Sequence, residues 1–272
     1  MPHTLAGQTA LITGGGRGIG RAVADELAAH GATVVLAARS AAEVHAAAED
    51  LRLRGAAALS LACDVANPED VRGLVERVVD ECGSVDILIN NAGTLGPMGM
   101  AWDVDAEEWA YNIHVNLVGA FRVTHAVLPL MIEEGGGRII NVSSGAARSV
   151  VPGWSAYSAA KAGLDHFSRV LAAEVLPHGV RVNAVYPGAT DTRMQTEIRG
   201  ASDEQFPGAE GFRRRHAEGH LRDPREPAEL IFWLCTSHAR DLSGQILDIA
   251  DPMVRERVAH DLGRPLLTDT AR

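Results

Sequence analysis

Tyr157 and Lys161 stand four residues apart in a segment with helical periodicity. At 1.5 Å rise per residue they are about 6 Å apart along the axis and share a face. A free tyrosine titrates at about 10 and is a poor acid-base catalyst at neutral pH. A neighbouring ammonium favours the phenolate. Lowering the value by ~3 units corresponds to roughly 4 kcal/mol, within reach of a lysine, a second positive group and a dry site together. The pair alone does not define a site, because helices carry this spacing by chance.

Other polar residues add context. Ser144 precedes Tyr157 by thirteen residues, and its hydroxyl is suited to donate to a carbonyl oxygen held near the phenol. Asn90-Asn91-Ala92-Gly93 closes an apolar run, Asn116 lies in a long amphipathic stretch, and Pro187-Gly188 follows another apolar run, with Thr190 and Thr192 just beyond.

The elements that must position these residues alternate. Apolar runs at Thr9–Thr13, 33–37, 58–63, 85–90, 138–143 and 180–185 read as buried parallel strands. Amphipathic stretches at 18–30, 41–54, Pro68–Cys82, 107–134 (with Pro129 expected to bend it) and 155–176 read as helices. The pattern predicts a single doubly wound α/β domain of Rossmann type, a central parallel sheet with helices on both faces. Residues 193–222 break the pattern with Gly200, Pro207, Gly208 and Gly211, and read as a lid or binding loop, or a disordered one. Pro224 then opens a helix to about Ser237, residues 245–249 read as a last strand, and the tail from Asp251 reads as a charged surface or partner-contacting segment.

The first strand runs into Gly14-Gly15-Gly16-Arg17-Gly18-Ile19-Gly20 and then a helix. Glycines let backbone approach a pyrophosphate, and a helix N-terminus offers free N–H groups to an anion. Between strand and helix, this reads as a dinucleotide site, spaced G-x-x-x-G-x-G. At the end of the second strand, Ala37-Ala38-Arg39 lacks the acid that binds a ribose 2′-hydroxyl in NAD sites. Arg39 and Arg17 instead suit a 2′-phosphate, since a guanidinium donates paired hydrogen bonds to it. NADP(H) is therefore expected over NAD(H).

These motifs, in order from Gln8 to about Ile249, resemble the short-chain dehydrogenase/reductase family of the classical type. The resemblance rests on Thr13 to Gly20, Asp64-Val65, Asn90 to Gly93, Asn116, Ser144, Tyr157, Lys161 and Pro187 to Thr192. It implies that Tyr157 is the acid in reduction and the base in oxidation, and that Ser144 orients the substrate oxygen. It implies that Lys161 binds the nicotinamide ribose and lowers the tyrosine pKa, and that Asn116 holds a relay water. It further implies that Asp64, with Val65, meets the adenine, Asn91 to Gly93 line the cofactor cleft, and the backbone from Pro187 through Gly188 and Thr190 to Thr192 receives the carboxamide. The usual glycine pair after the last strand is absent; Leu247-Asp248-Ile249-Ala250-Asp251 stands there. That puts the tetramer contact made by this end in doubt. The stretch from Asp191 to Arg199 and the Leu-Asp-Ile ending are similar to the sepiapterin and benzil reductase-like branch.

The implied layout is a cofactor-binding part at about 8–145, a catalytic helix and substrate lid at about 146–222, and a C-terminal part at 223–272. Composition bounds the alternatives. The chain has 272 residues, 46% of them hydrophobic, and a net charge of −10, which suits a globular protein and no nucleic-acid partner. The basic run Arg213-Arg214-Arg215 reads as a solvated face. Three scattered cysteines, Cys63, Cys82 and Cys235, fit a reducing cytoplasm and no metal centre. Residues 1–8 lack a signal core, and no run reaches the ~18 apolar residues of a membrane span. His114, near Asn116, reads as an ordinary helix residue; Trp154, Met194, Phe206 and Phe212 are candidate pocket walls or plain packing. The expected activity is NADP(H)-dependent carbonyl reduction of a small molecule in a homodimer or homotetramer. An NAD-dependent alcohol or diol dehydrogenase, and a non-catalytic cofactor-binding regulator, stand as alternatives.

Overall fold

The computed structural model describes residues 4–266. Residues 1–3 and 267–272, which hold the start of the N-terminal segment and the end of the tail, lie outside the described residues. The chain begins with β1 (Thr9–Thr13), α1 (Gly18–Ala29), β2 (Thr33–Ala38), α2 (Ala41–Leu53), β3 (Ala58–Ala62), α3 (Pro68–Cys82) and β4 (Ile87–Asn90). A long helical run follows as α4 (Ala106–Ile113), a π-helical turn (His114–Val118) and α5 (Gly119–Glu133). Then come β5 (Gly137–Val142), α6 (Ser155–Val175) and β6 (Val180–Tyr186). The chain continues through α7 (Arg193–Gly200), α8 (Ala209–Ala217), α9 (Arg225–Cys235), β7 (Ile246–Asp248) and α10 (Pro252–Leu262).

All seven strands are parallel, in the order β3-β2-β1-β4-β5-β6-β7. Central strands are apolar on both sides because both faces are covered. Leu11, Val35, Leu88, Ile139 and Val182 pack with residues of α3, α5 and α6. Ile12, Leu36, Ile89 and Ile140 pack with residues of α1, α2 and α9 on the other face. Strand order reverses between β1 and β4, which opens a crevice at the carboxyl ends of the strands, where such sheets bind ligands.

Four expectations need correction. Residues 193–222 are not an unstructured loop but carry α7 and α8. The tail forms α10, capped by Asp251 accepting from Met253 N–H (2.9 Å), and buries Val258 in the core. The helix from Ala106 is interrupted by a π-turn at His114–Val118, and Pro129 lies inside α5. The Ala106–Glu133 run is, by length and composition, able to cross a membrane, unlike the sequence count suggested. Its Val115, Val123, Val127 and Met131 are buried against the sheet.

A buried polar ladder fixes the helices that carry the site. Asn90 Nδ2 donates to Thr124 Oγ1 and to Asn141 Oδ1, each at 2.9 Å. Asn141 Nδ2 donates to Ser168 Oγ (2.8 Å), whose hydroxyl donates to Leu164 O (2.7 Å). Asn141 and Ser168 are fully buried, and such groups keep their position because an unmet partner is costly. The ladder joins β4, β5, α5 and α6 in one register. Replacing Asn141 by Ala leaves Asn90 and Ser168 short of a partner. It should cost about 2–4 kcal/mol in urea denaturation.

Candidate active site

The glycine turn is shaped by contact with the end of β4. Thr13 Oγ1 accepts from Asn91 N–H and Ala92 N–H (3.0 and 3.1 Å), and Asn91 Nδ2 donates to Thr13 O and Gly14 O (3.0 and 3.1 Å). Gly14 has φ +66°, and a Cβ there would come within 2.7 Å of Asn91 Nδ2. A Cβ on Gly20 would fall 2.3 Å from Gly14 O. Neither position tolerates a side chain. The N-terminus of α1 has no side-chain cap and no acid in its first turn, whereas Ser40, Asn67 and Asp105 cap α2, α3 and α4. An open, acid-free helix N-terminus behind a glycine cradle fits a dinucleotide pyrophosphate.

Fifteen of the predicted site residues line one cleft of about 440 Å³: Gly14, Arg17, Gly18, Ile19, Asn91, Ala92, Gly93, Asn116, Ser144, Tyr157, Lys161, Pro187, Gly188, Thr190 and Thr192. Gly16, Arg39, Asp64 and Val65 line an adjoining cavity of about 590 Å³, which shares Gly14, Arg17, Ala92 and Gly93 with the first. Gly20 lines neither and packs beneath the turn. The adjoining cavity also holds Ser40, Glu43 and Val115, which sequence reading missed. Arg17 is paired there with Glu43 (2.8 Å), and Arg39 Nη1 donates to Tyr111 Oη (3.0 Å). Among the described residues, no group of three or more His, Cys, Asp or Glu side chains is placed to hold a metal ion.

Tyr157 and Lys161 project from α6, Ser144 from the turn after β5, and Asn116 from the π-turn. Ser144 stands beside the Tyr157 phenol, where it opposes the rise in its pKa, and accepts from Ala146 N–H (3.2 Å). Lys161 Nζ donates to Val142 O (2.8 Å) and lies 5.7 Å from the Tyr157 ring centre. The π-turn widens the helix by one residue. Within it, Asn116 donates to Thr94 O (2.8 Å) and to Asn112 O (3.0 Å) and accepts from Thr94 N–H (3.2 Å). Asn116 Oδ1 and Lys161 Nζ both lie within 4 Å of where a Cβ on Gly93 would stand, so glycine there keeps a space between them.

Burial dominates the electrostatics. Tyr157 is 7% exposed; desolvation raises its pKa, opposed by the Ser144 hydrogen bond. Lys161 is 5% exposed, and desolvation lowers its pKa to about 8, opposed by the charge of Asp165 one turn on. Asp165 also accepts from the Tyr186 hydroxyl. An acid four residues after a buried lysine was the available signal for Asp165, and sequence reading passed over it.

Residues of α7 and α8 close one end of the cleft. Trp154 is both wall and packing: it lines the cleft, stacks on Phe206 (4.8 Å between centres), and meets Phe212 and Tyr157 at 5.3 and 5.7 Å. Met194 and Phe212 line the cleft, while fully buried Phe206 supports Trp154 from behind. The Arg213 to Arg215 run is not simply solvated. Arg213 clamps the lid, pairing with Asp203 and with Glu210 (3.0 Å) and donating to Ala201 O (3.2 Å). Arg215 lines the cleft.

A parallel sheet with a glycine-turn dinucleotide crevice, and a Ser, Tyr and Lys at its carboxyl edge, defines a nucleotide-dependent oxidoreductase. The short chain dehydrogenase family model matches residues 8–203, and the chain belongs to that family. It is an oxidoreductase acting on C=O or CH–OH groups. It is 37% identical over 249 residues to the 3-oxoacyl-[acyl-carrier-protein] reductase FabG of Vibrio cholerae, covering 90% of this chain and 96% of that one. It is 36% identical over 242 residues to the short-chain reductase protein NovJ of Streptomyces niveus, covering 88% and 91%. Among solved structures, a variant of actinorhodin polyketide ketoreductase with NADPH superposes with a TM-score of 0.82 at 34% identity, covering 89% of this chain and 95% of that one. The expected likeness to the sepiapterin and benzil reductase branch gains nothing from these relatives.

Lys161 binds its proton less tightly folded than unfolded, so the unfolded chain holds more protons between about pH 8 and 10.5. Stability contributed at this position therefore rises with pH across that window. Lys161→Met should make the nucleotide-free protein more stable at pH 7, by up to about 3 kcal/mol. The advantage should shrink as pH climbs from 8 to 10, read by urea denaturation at each pH.

Proposed function

We propose that this protein reduces a ketone or aldehyde to an alcohol with NADPH, with Tyr157 as general acid. The observation that carries the reading is the joint placement of Ser144, Tyr157 and Lys161 in one buried cleft that also holds the glycine turn. Bound NADPH supplies the hydride. Ser144 Oγ–H and the Tyr157 phenol donate to the substrate oxygen, and the phenol proton passes to it as the alcohol forms. Lys161 binds the nicotinamide ribose and stabilises the resulting phenolate electrostatically. Asn116 holds a water in the space beside Gly93, through which Lys161 and Tyr157 are reprotonated. Thr190 and Thr192, with the backbone from Pro187 to Gly188, receive the carboxamide. Asp64 and Val65 flank the adenine.

Two features support NADPH over NADH. The end of β2 offers Arg39 and no acid, and Arg17 is within reach of the same cavity. Glu43 holds Arg17 in the free protein, so Arg39 is the principal partner of the 2′-phosphate and Arg17 joins it by releasing Glu43. The names of the relatives, among them a ketoreductase with NADPH, point the same way. We place the enzyme in the cytoplasm as a homodimer or homotetramer, in a single domain with the three-part layout set out above. The face of α5 and α6 supports self-association: Phe121 and Val170 are 47% and 45% exposed there, and Phe121 meets Phe167 at 5.9 Å. A monomer in light scattering would reject this assembly.

A panel of ketones and aldehydes assayed with NADPH and NADH tests the reading. Tyr157→Phe should lower kcat by about 10²–10⁴-fold with NADPH binding retained. Arg39→Ala should raise the NADPH Kd about 10-fold and leave NADH affinity unchanged. Full turnover in Tyr157→Phe removes the mechanism; tighter binding of NADH than NADPH by the unmodified protein removes the cofactor assignment.

A further inference from the structure

The main cleft has one sign of charge. The whole chain carries a net charge of −10, yet no Asp or Glu lines this cleft, whose charged residues are Arg17, Lys161, Arg193 and Arg215. The proposed reaction uses Arg17 and Lys161. Arg193 also lines the adjoining cavity and has Glu197 and Glu43 at 3.6 and 3.9 Å. Arg215 remains. Among the described residues its guanidinium has no hydrogen-bond or ion-pair partner, whereas Arg213, half a turn earlier on α8, is held by Asp203 and Glu210.

Its position says which end of the cleft it serves. Phe212 is one turn earlier on α8 and packs on Trp154, which in turn packs on Tyr157. Arg215 therefore stands on the substrate side, away from the glycine turn. The wall between is mainly apolar, with Leu95, Val151, Met194, Ile198 and Phe212, and Gln195 and Ser149 are polar members of the same lining. The cleft thus offers two hydroxyl donors at its base, a mainly apolar middle and one unpaired, exposed guanidinium at its rim. A guanidinium fork matches a carboxylate.

We propose that Arg215 receives a carboxylate on the far end of the substrate. The preferred substrate class is then an oxo acid whose ketone and carboxylate are separated by an apolar spacer. This inference rests on the reading of the cleft as a carbonyl-reduction site. Because Arg215 is exposed, the gain is modest and falls mainly on KM.

The test uses NADPH-saturated enzyme and methyl ketones ending in a carboxylate, namely 5-oxohexanoate, 7-oxooctanoate and 9-oxodecanoate, each against its methyl ester. At one spacer length the acid should exceed its ester in kcat/KM by about 5- to 10-fold, less at high salt. In Arg215→Gln the acid-to-ester ratio should fall to about 1, and in Arg215→Glu below it. Equal ratios in the unmodified enzyme, or a ratio kept in Arg215→Gln, overturn the inference. A raised NADPH Kd in Arg215→Gln with the ratio kept would place Arg215 on the cofactor and overturn it too. If none of the six compounds is reduced, quenching of tryptophan fluorescence in the NADP complex reads binding alone. Acid binding that Arg215→Gln abolishes upholds Arg215 while the reduction fails; acid binding no tighter than ester binding, or unaffected by Arg215→Gln, overturns the inference while leaving the fold and cofactor site untouched.

Discussion

The structure depends on keeping an ammonium and a phenol together out of water. Lys161 and Tyr157 are both nearly buried, and each is pushed by burial toward its neutral form. That arrangement is unfavourable for the free protein and is what the proposed chemistry would draw on. A charge that solvent does not stabilise responds strongly to a partner, because electrostatic interactions grow as the local dielectric falls. Asp165 behind the lysine and Ser144 beside the phenol moderate the two shifts without removing them.

The rest of the fold holds that pair in place. The ladder from Asn90 through Asn141 to Ser168 fixes α6 against β5, and Lys161 donates to the last residue of β5. Thr13 and Asn91 couple the glycine turn to the end of β4, so the glycine turn and α6 share one frame. The lid aromatics continue that frame outward. Phe206 lies nearly parallel to Trp154, which touches the ring of Tyr157. The wall of the cleft and Tyr157 are therefore one packed unit.

Much of this was legible because parallel strands and their helices carry strong, regular signals. The strand cores, α3 to the residue and the motif residues all follow from apolar runs, glycine punctuation and polar residues at strand ends. The lid was not legible. α7 and α8 are short and polar, and they hold their shape through tertiary contacts such as the Arg213 clamp and the Phe206 stack. The π-turn was hidden because one added residue shifts helical phase without changing composition. α10 hid among charges, since its buried contact is Val258. Asp165 stood at helical spacing from Lys161, but only the burial of that lysine gives the spacing its meaning, and Arg215 matters because the fold turns α8 onto the cleft.

The central claim is that the buried site holds Tyr157 protonated until a nucleotide with a cationic ring arrives. Phenolate absorbance of the unmodified protein minus that of Tyr157→Phe, followed against pH with and without NADP in its oxidised form, measures this directly. The expected result is a Tyr157 phenolate that forms only above the range of a free tyrosine in the nucleotide-free protein, because burial disfavours it, and a transition clearly shifted to lower pH in the complex. The same titration curve with and without nucleotide would contradict it.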